Sequence, residues 1–388
     1  MNTTHTFDDG KSEAKERQYY LDWIRTFTIL IVFLFHDGRF FDSDDWHIKN
    51  AVKSPAADFI LFLLKEWLMP IFFFVSGAST WFSISYKKTS KFAADRFKRI
   101  FIPLLFGIFI LSPPQVYVER LSHGQFSGSF WLFLPHYFSG WYGFGGNFAW
   151  MGLHLWYLLL LFVFSFLTLP LFIWWKNNRN SSTIDAPLIC FFVFVLILAS
   201  VGILISLDNF LMNRSFAGWG ILEHLIIFIC GFYAYAKPGI QPGLIRQRYI
   251  FLLITLLATA INSFLYLNHM LYEYGTLDYG LKIVLRSLAC FGWIFTIFGF
   301  AEKHLNYTNR FLKYSNEAVL PFYILHQPIM LLTGYFIINT AMSLSFKYLL
   351  IAIISFALVM ICYQFIIRKN NWLRYLFGMP KAKQVKDA

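Results

Sequence analysis

The feature that most constrains this chain is a series of apolar runs of about 20 residues, which recur from Tyr19 to the neighbourhood of Arg368 with short polar breaks between them. A helix of about that length spans the hydrocarbon core of a bilayer. Only helices and closed barrels pair all their backbone groups in lipid, and these runs are far longer than the roughly 10-residue strands of a membrane barrel. The sequence therefore predicts an all-α, polytopic membrane helix bundle.

We predict about ten transmembrane helices in one domain. Their approximate positions are 19–40, 58–84, 100–118, 152–175, 187–206, 218–236, 249–268, 281–300, 317–338 and 348–367. The chain is 57% hydrophobic and 14% charged, which excludes a single soluble core with an ordinary charged surface. The first run carries Arg25 and has no small-residue cleavage site after it, so we interpret it as a retained helix and not as a signal peptide.

The basic residues alternate with the predicted spans, and 23 of the 33 Lys and Arg residues fall in six segments. These are the N-terminal arm, 87–99, 176–179, 237–248, 303–313 and the tail from Arg368. The positive-inside rule then places both termini in the cytoplasm and requires an even number of spans. The predicted location is the cytoplasmic (inner) membrane, with lipid as a partner. The net charge of +12 is explained in this way, and no nucleic acid is expected.

The predicted division has a cytoplasmic arm at 1–18, a transmembrane domain at 19–368 and a basic cytoplasmic tail at 369–388. The longest outer loop, about Glu119 to Trp150, is rich in glycine and aromatic residues. Two interpretations stay open, an aromatic belt at the membrane interface and a platform that stacks on sugars. The oligomeric state is not predicted.

The first helix carries the strongest candidate residues. Arg25 and His36 are eleven residues apart, a spacing that returns them to one helix face about 16 Å apart along the axis. Asp22 shares that face. Charged groups inside a membrane usually face the bundle interior or a water-filled cavity. The alternative is structural, with Arg25 reaching towards the cytoplasmic end and His36 meeting water at the outer end.

A second cluster, RFKR, runs from Arg96 to Arg99 at the start of the third span. Two guanidinium groups one turn apart suit polyanions such as phosphates, because each can donate two hydrogen bonds to phosphate oxygens. The same residues also fit ordinary topogenic charge.

Further candidates are weaker. Ser76, in FFFVSGAST, lies among small residues that predict close helix packing, and it would need a base to become a nucleophile. Glu317 and His326 lie in EAVLPFYILHQP; membrane histidines such as His326, His154 and His224 are more often helix contacts than catalysts. Asp37 is a candidate partner that orients His36. The cluster of His36, Asp37, Asp42, Asp44, Asp45 and His47 matches no standard metal pattern, so no metal is predicted.

Taken in order, YYLDWIRTFTILIVFLFH, FFFVSGAST, RFKR, HLWYL and LPFYILHQP resemble the acyltransferase 3 family over nearly the whole chain. Within it, the chain is most similar to the branch related to the succinyltransferase of periplasmic glucans. No fused SGNH-type hydrolase domain, which some members carry, is recognised.

The resemblance implies a membrane enzyme that takes an acyl group, acetyl or succinyl, from cytoplasmic acyl-CoA and passes it to a hydroxyl of an extracytoplasmic glycan or similar acceptor. It implies no bound cofactor. His36 and Arg25 would be the essential residues of the first helix, and Arg96 and Arg99 the pair that binds the donor. The alternative function is a secondary transporter or flippase for a glycan or small metabolite, with His36, Arg25 and Glu223 along its path. No inverted repeat is visible in the sequence.

Overall fold

The computed structural model of the chain describes residues 17–138, 149–178, 187–206, 216–270 and 275–382. Across these ranges the chain forms helices and no β-strand, which confirms the all-α class. Most of the predicted N-terminal arm, the end of the tail and the glycine-rich part of the long outer loop lie outside the described residues.

The helices are numbered here in chain order. They are α1 (Tyr19–Gly38), α2 (Pro55–Lys65), α3 (Leu68–Tyr86), α4 (Thr89–Ser122), α5 (Phe130–Phe138), α6 (Trp156–Leu167), α7 (Leu169–Asn177), α8 (Pro187–Ser206), α9 (Ile221–Ala236), α10 (Ile240–Leu267), α11 (Leu277–His304), α12 (Arg310–Ile337), α13 (Leu344–Ile367) and α14 (Asn371–Leu376).

Seven helical segments in the described ranges are long and apolar enough to cross a membrane, and the pair α6 and α7, bent by 49°, would be an eighth. The predicted count of about ten is therefore not confirmed. Helix α1 is not among the seven because its polar residues lower its hydropathy, and α9 has only 16 residues. The cytoplasmic location of the termini stays a prediction.

The two ends of α1 define two sides of the bundle, called here the Tyr19 side and the Gly38 side. On the Tyr19 side, the amide of Tyr19 donates to Asn306 Oδ1 at 3.0 Å, beyond the end of α11. On the Gly38 side, Lys347 at the start of α13 donates to Asn50 Oδ1 at 2.9 Å in the loop after α1. The first helix therefore presents its two ends to different sets of loops.

Helices α3 and α9 pack at backbone contact. A Cβ at Gly77 would lie 2.0 Å from the carbonyl oxygen of Phe228, and one at Gly231 would lie 2.2 Å from that of Phe74. The predicted role of the small residues around Gly77 in close packing is thus confirmed. This contact fixes the position of α3, which supplies several residues of the site.

Candidate active site

The centre of the site is a stretch of α12 that contains prolines. Proline has no N–H, so Pro328 leaves the carbonyl of Ile324, four residues earlier, without its helical donor. His154 Nε2 donates to this carbonyl oxygen at 3.2 Å. The interruption of the helix by Pro328 therefore provides the acceptor that positions His154.

The same stretch fixes His326, which is fully buried. Its Nδ1 lies 2.6 Å from the carbonyl oxygen of Tyr323 and must carry a proton, because a carbonyl oxygen only accepts. In neutral His326, Nε2 is then an acceptor, and it lies 3.1 Å from Nδ1 of His36. His36 therefore donates from Nδ1, as inferred from the hydrogen-bond network. This arrangement leaves a lone pair on Nε2 of His36.

His36, His154 and His326 together form what we call the histidine cluster. The ring of His326 has its centroid 5.0 Å from that of His36 and 5.1 Å from that of His154. The Tyr323 hydroxyl donates to the carbonyl of His154. The cluster thus joins α1, the turn before α6 and α12.

Arg25 lies on the Tyr19 side of His36 on the same helix. It donates from Nη1 to Asp22 Oδ1 at 3.2 Å and from Nη2 to the hydroxyl of Ser79. Asp22 also accepts from Arg17 at 2.7 Å. Asp22 and Arg25 thus share a helix face as predicted and form an ion pair there, and Ser79 of α3 is an additional partner.

Arg96 and Arg99 line a cavity of about 290 Å³ together with Arg25, and we call it the arginine cavity. Arg96 Nη2 donates to Thr80 Oγ1 at 2.6 Å. Ser76 lines the same cavity, and its hydroxyl lies 2.7 Å from the hydroxyl of Tyr157. Its hydrogen-bond partner is thus a phenol and not a base, which does not support a nucleophilic serine.

The arginine cavity lies between two others. On the Tyr19 side, a cavity of about 240 Å³ shares Arg25 and Ser79 with it. In the other direction, a small cavity of about 40 Å³ at His36 shares Met69 and Tyr323 with it. The candidate donor residues and the histidine cluster therefore line adjoining spaces.

A further cavity follows on the Gly38 side. It has a volume of about 420 Å³, and Lys65 lines both it and the small cavity at His36. Shared lining residues thus connect these four cavities one after another, from the Tyr19 side towards the Gly38 side.

Two of the predicted supporting residues lie apart from the histidine cluster. Asp37 is fully buried, and within the described part of the chain neither of its carboxylate oxygens has a hydrogen-bond partner. It is His326, and not Asp37, that contacts the ring of His36. Glu317 pairs with Arg374 at 2.9 Å and lies nine residues, or about 13 Å along α12, from His326. Glu317 thus anchors α14.

The acidic residues of the loop after α1 pair with basic residues. Asp42 contacts Arg39 and Lys49, and Asp44 contacts Arg39 at 3.1 Å and also Lys65. Burial lowers the pKa of Lys49, while its contacts with Asp42 oppose that shift. Among the residues that the structure describes, no group of three or more His, Cys, Asp or Glu side chains could hold a metal ion.

Sequence reasoning did not find a second polar network at the Gly38 side. His47 contacts Glu119 of α4, and Gln327 Nε2 lies 3.2 Å from His47 Nε2 and 3.2 Å from Gln115 Oε1. Gln327 follows His326 directly in the sequence. Two adjacent polar residues within an apolar helix point to different faces, and this was the signal that could have indicated the second network. Tyr323 and Thr80 were also missed, because hydroxyl residues in apolar helices are common.

The comparisons with known proteins cover nearly all of the chain. A family model described as an acyltransferase domain matches residues 18–368. Glucans biosynthesis protein C of Salmonella schwarzengrund is 23% identical over 388 residues, with 96% of this chain and 97% of the relative covered. The protein of the same name from Escherichia coli is 25% identical over 391 residues, with the same coverage. No solved structure matches the chain significantly.

The family match covers much more than half of the sequence, and the relatives align along almost their full length. The match favours the acyltransferase over the transporter that the sequence left open. The chain thus belongs to the acyltransferase 3 family and is a multi-pass membrane acyltransferase.

Proposed function

We propose that the chain transfers an acyl group, acetyl or succinyl, from acyl-CoA on the Tyr19 side to a hydroxyl of a glycan on the Gly38 side. The Tyr19 side is then the cytoplasmic face of the inner membrane. The observation that carries this proposal is that Met69 and Tyr323 line both the arginine cavity and the cavity at His36, so the two spaces adjoin. The names of the relatives support a glucan as the acceptor.

The donor is held by charge on the Tyr19 side. Guanidinium groups suit phosphates because they form paired, charge-assisted hydrogen bonds, and Arg25, Arg96 and Arg99 supply three of them around one cavity. The acyl end of the donor extends past Met69 and Tyr323 to His36. Arg25 keeps its charge and therefore stabilises donor phosphate without moving protons.

The chemistry takes place at His36. Its Nε2 lone pair accepts the proton of the acceptor hydroxyl as the oxygen attacks the thioester carbonyl. A new C–O bond forms, the C–S bond breaks, and the proton passes from His36 to the sulfur of CoA. His326 accepts from Nδ1 throughout and so stabilises the imidazolium that forms in between. His326 is a positioning residue, and His36 is the catalytic one.

A CoA-release assay tests this proposal without knowledge of the acceptor. Purified protein in lipid nanodiscs receives acetyl-CoA or succinyl-CoA, and free thiol is measured. Water at His36 takes the place of the acceptor hydroxyl in this assay, so we expect slow hydrolytic release from one of the two donors and its loss in His36→Ala. His304→Ala, which removes an exposed histidine at the end of α11, is the matched control and should keep the activity. Absence of both turnover and donor binding in the wild type would contradict the proposal.

A further inference from the structure

The cavity of about 420 Å³ on the Gly38 side has no role in the proposed function above. Residues from α2, α10 and α11 surround it, together with Gly218 from the turn before α9. Its volume falls within the roughly 300 to 1,000 Å³ that is typical of small-molecule sites. Glu66, which lies between α2 and α3, contributes a carboxylate to the lining, and we call this space the Glu66 cavity.

Glu66 lies at a break between two helices inside one apolar segment. The segment Pro55–Tyr86 is long and apolar enough to cross a membrane, and α2 ends within it at Lys65. Irregular backbone at membrane depth is tolerated where it is buried in protein or lines a cavity, and ionisable groups there commonly mark a functional site. The carbonyl of Lys65 at the break accepts from Trp219 Nε1 at 2.9 Å. The turn before α9 thus pairs the interrupted backbone, and Glu66 lines the cavity.

Acidic and basic groups balance around the Glu66 cavity. The cationic side chains in its lining are those of Lys65, Lys282 and Arg286. Lys65 pairs with Asp44, and Arg286 interacts electrostatically with both Glu66 and Glu223. Three acids therefore match three cations. A charged ligand would lose its hydration without meeting an excess of opposite charge, so the balance favours a neutral ligand.

Two polar side chains in the lining are placed to bind hydroxyl groups. Asn262 Nδ2 donates to Glu66 Oε1 at 2.8 Å, so each side chain holds the other in position. A carboxylate has about four lone-pair positions, and Asn262 and Thr259 occupy at most two of those on Glu66. The amide of Asn262 adds a further acceptor oxygen. Adjacent acceptors of this kind suit the neighbouring hydroxyls of a sugar ring, each of which can donate.

Another part of the wall is aromatic. The rings of Phe62 and Tyr266 stack with their centroids 4.2 Å apart, and both line the cavity. Binding sites for small molecules commonly combine such an apolar wall with a few placed polar groups. A sugar ring matches this combination, because its C–H groups can pack against an aromatic ring while its hydroxyls form hydrogen bonds.

The Glu66 cavity adjoins the space at His36. Lys65 lines both the Glu66 cavity and the small cavity at His36. Ala217 lines the small cavity, and its neighbour Gly218 lines the Glu66 cavity. A molecule in the Glu66 cavity therefore lies next to the space at the proposed catalytic base.

From these observations we propose that the Glu66 cavity is the acceptor site and that it binds a neutral hexose unit. The hydroxyls of the sugar bond to Glu66 and Asn262, and its ring packs against the aromatic wall. The hydroxyl to be acylated then points past Lys65 towards His36. This inference rests on the proposed function and deepens it, because it adds the charge class of the acceptor and the side chains that bind it.

The test compares three sugars of similar size in mildly acidic buffer: glucose, the anionic glucuronic acid and the cationic glucosamine. Binding of each is measured by saturation-transfer NMR titration on the protein in nanodiscs of zwitterionic lipid. We expect glucose to bind and each charged sugar to bind at least about threefold more weakly. Tyr266→Leu removes part of the aromatic wall and should raise the Kd for glucose by about threefold to tenfold. Tyr249→Leu, which removes an exposed tyrosine elsewhere on α10, is the matched control and should leave that Kd unchanged.

Asn262→Ala is a second variant that leaves the aromatic wall in place, and it should raise the Kd for glucose by about fivefold. If that variant does not fold, Tyr266→Leu still decides the question. Absence of glucose binding, tighter binding of either charged sugar, or a glucose Kd that Tyr266→Leu leaves unchanged would overturn the inference.

CoA release by the same wild-type preparation reports on the proposed function separately. Release without glucose binding removes only this inference. Glucose binding without release from any acyl-CoA removes the proposed function and keeps the Glu66 cavity as a sugar site.

Discussion

The arginine cavity and the histidine cluster adjoin each other but are held by different contacts. Arg25 and Arg96 reach the hydroxyls of Ser79 and Thr80 with long side chains. The rings of His154 and His326 instead bind main-chain carbonyls of α12. A hydroxyl and a guanidinium can change rotamers together, whereas a carbonyl moves only with its helix.

This difference indicates a functional division between the two regions, donor binding in one and the chemical step in the other. The arginine cavity can adapt to a bound phosphate, and changes there should alter donor affinity. The histidine cluster keeps its geometry, as a general base requires, and changes there should alter the rate of the chemical step. The four predictions below test that division, from the largest expected effect to the smallest.

The largest effect is expected for His36→Ala. Loss of a positioned general base should lower kcat for CoA release by roughly 10²- to 10⁴-fold. Donor affinity should stay near the wild-type value, because the arginine cavity is unchanged. Steady-state kinetics and equilibrium binding of acyl-CoA give the two numbers. A fall in the affinity for acyl-CoA with an unchanged kcat would contradict the proposed functional division.

Arg96→Gln together with Arg99→Gln should act in the opposite way. Each charge-assisted hydrogen bond contributes about 1.5 to 3 kcal/mol, so the Kd for acyl-CoA should rise by roughly 10² or more. At saturating donor, kcat should fall by much less. Arg310→Gln, at the exposed start of α12, is the matched control. Unchanged donor binding in the double variant would contradict the assignment of this pair.

Pro328→Ala tests the backbone link directly. An amide at position 328 can donate to the Ile324 carbonyl and compete with His154, so we expect kcat to fall by about tenfold with KM unchanged. Pro321→Ala is the paired control because position 321 faces the carbonyl of Glu317, one turn before it. Equal effects of the two substitutions would show that general helix distortion, and not His154, explains the loss.

The smallest effect is expected for Thr80→Val, which keeps the shape and removes the hydroxyl that contacts Arg96. A net hydrogen bond contributes about 1 kcal/mol, so donor Kd should rise by about fivefold. Thr168→Val removes a hydroxyl that donates to the carbonyl of Phe164 and has no other partner among the described residues, and it serves as the control. An effect on kcat alone would place Thr80 with the histidine cluster instead.

Much of the architecture follows from the sequence, because long apolar runs leave few alternatives in lipid. The span count is harder to predict. Helix α1 carries the candidate site residues Asp22, Arg25 and His36, and these polar residues lower its hydropathy. The bend between α6 and α7 likewise divides one predicted run into two short helices.

The site was predictable where residues share one helix. The spacing of Asp22 and Arg25 predicted a shared helix face, where the two form an ion pair. Arg96 and Arg99 lie one turn apart on one helix, and both line one cavity. The partner of His36 was not predictable in this way, because His326 is 290 positions away in sequence. The sequence analysis instead named Asp37, the acidic residue next to His36 in the chain, as its candidate partner. Pairings between distant helices depend on packing, such as that of Gly77 with Phe228, which periodicity does not reveal.

The most direct test of the central claim is the sidedness of CoA release in oriented membrane vesicles. Membranes that contain the chain are prepared as inverted and as right-side-out vesicles, and each receives external succinyl-CoA or acetyl-CoA. The account predicts release only from inverted vesicles, which expose the Tyr19 side, and its loss with Arg96→Gln plus Arg99→Gln. Release confined to right-side-out vesicles would place the donor at the Gly38 side and contradict the account.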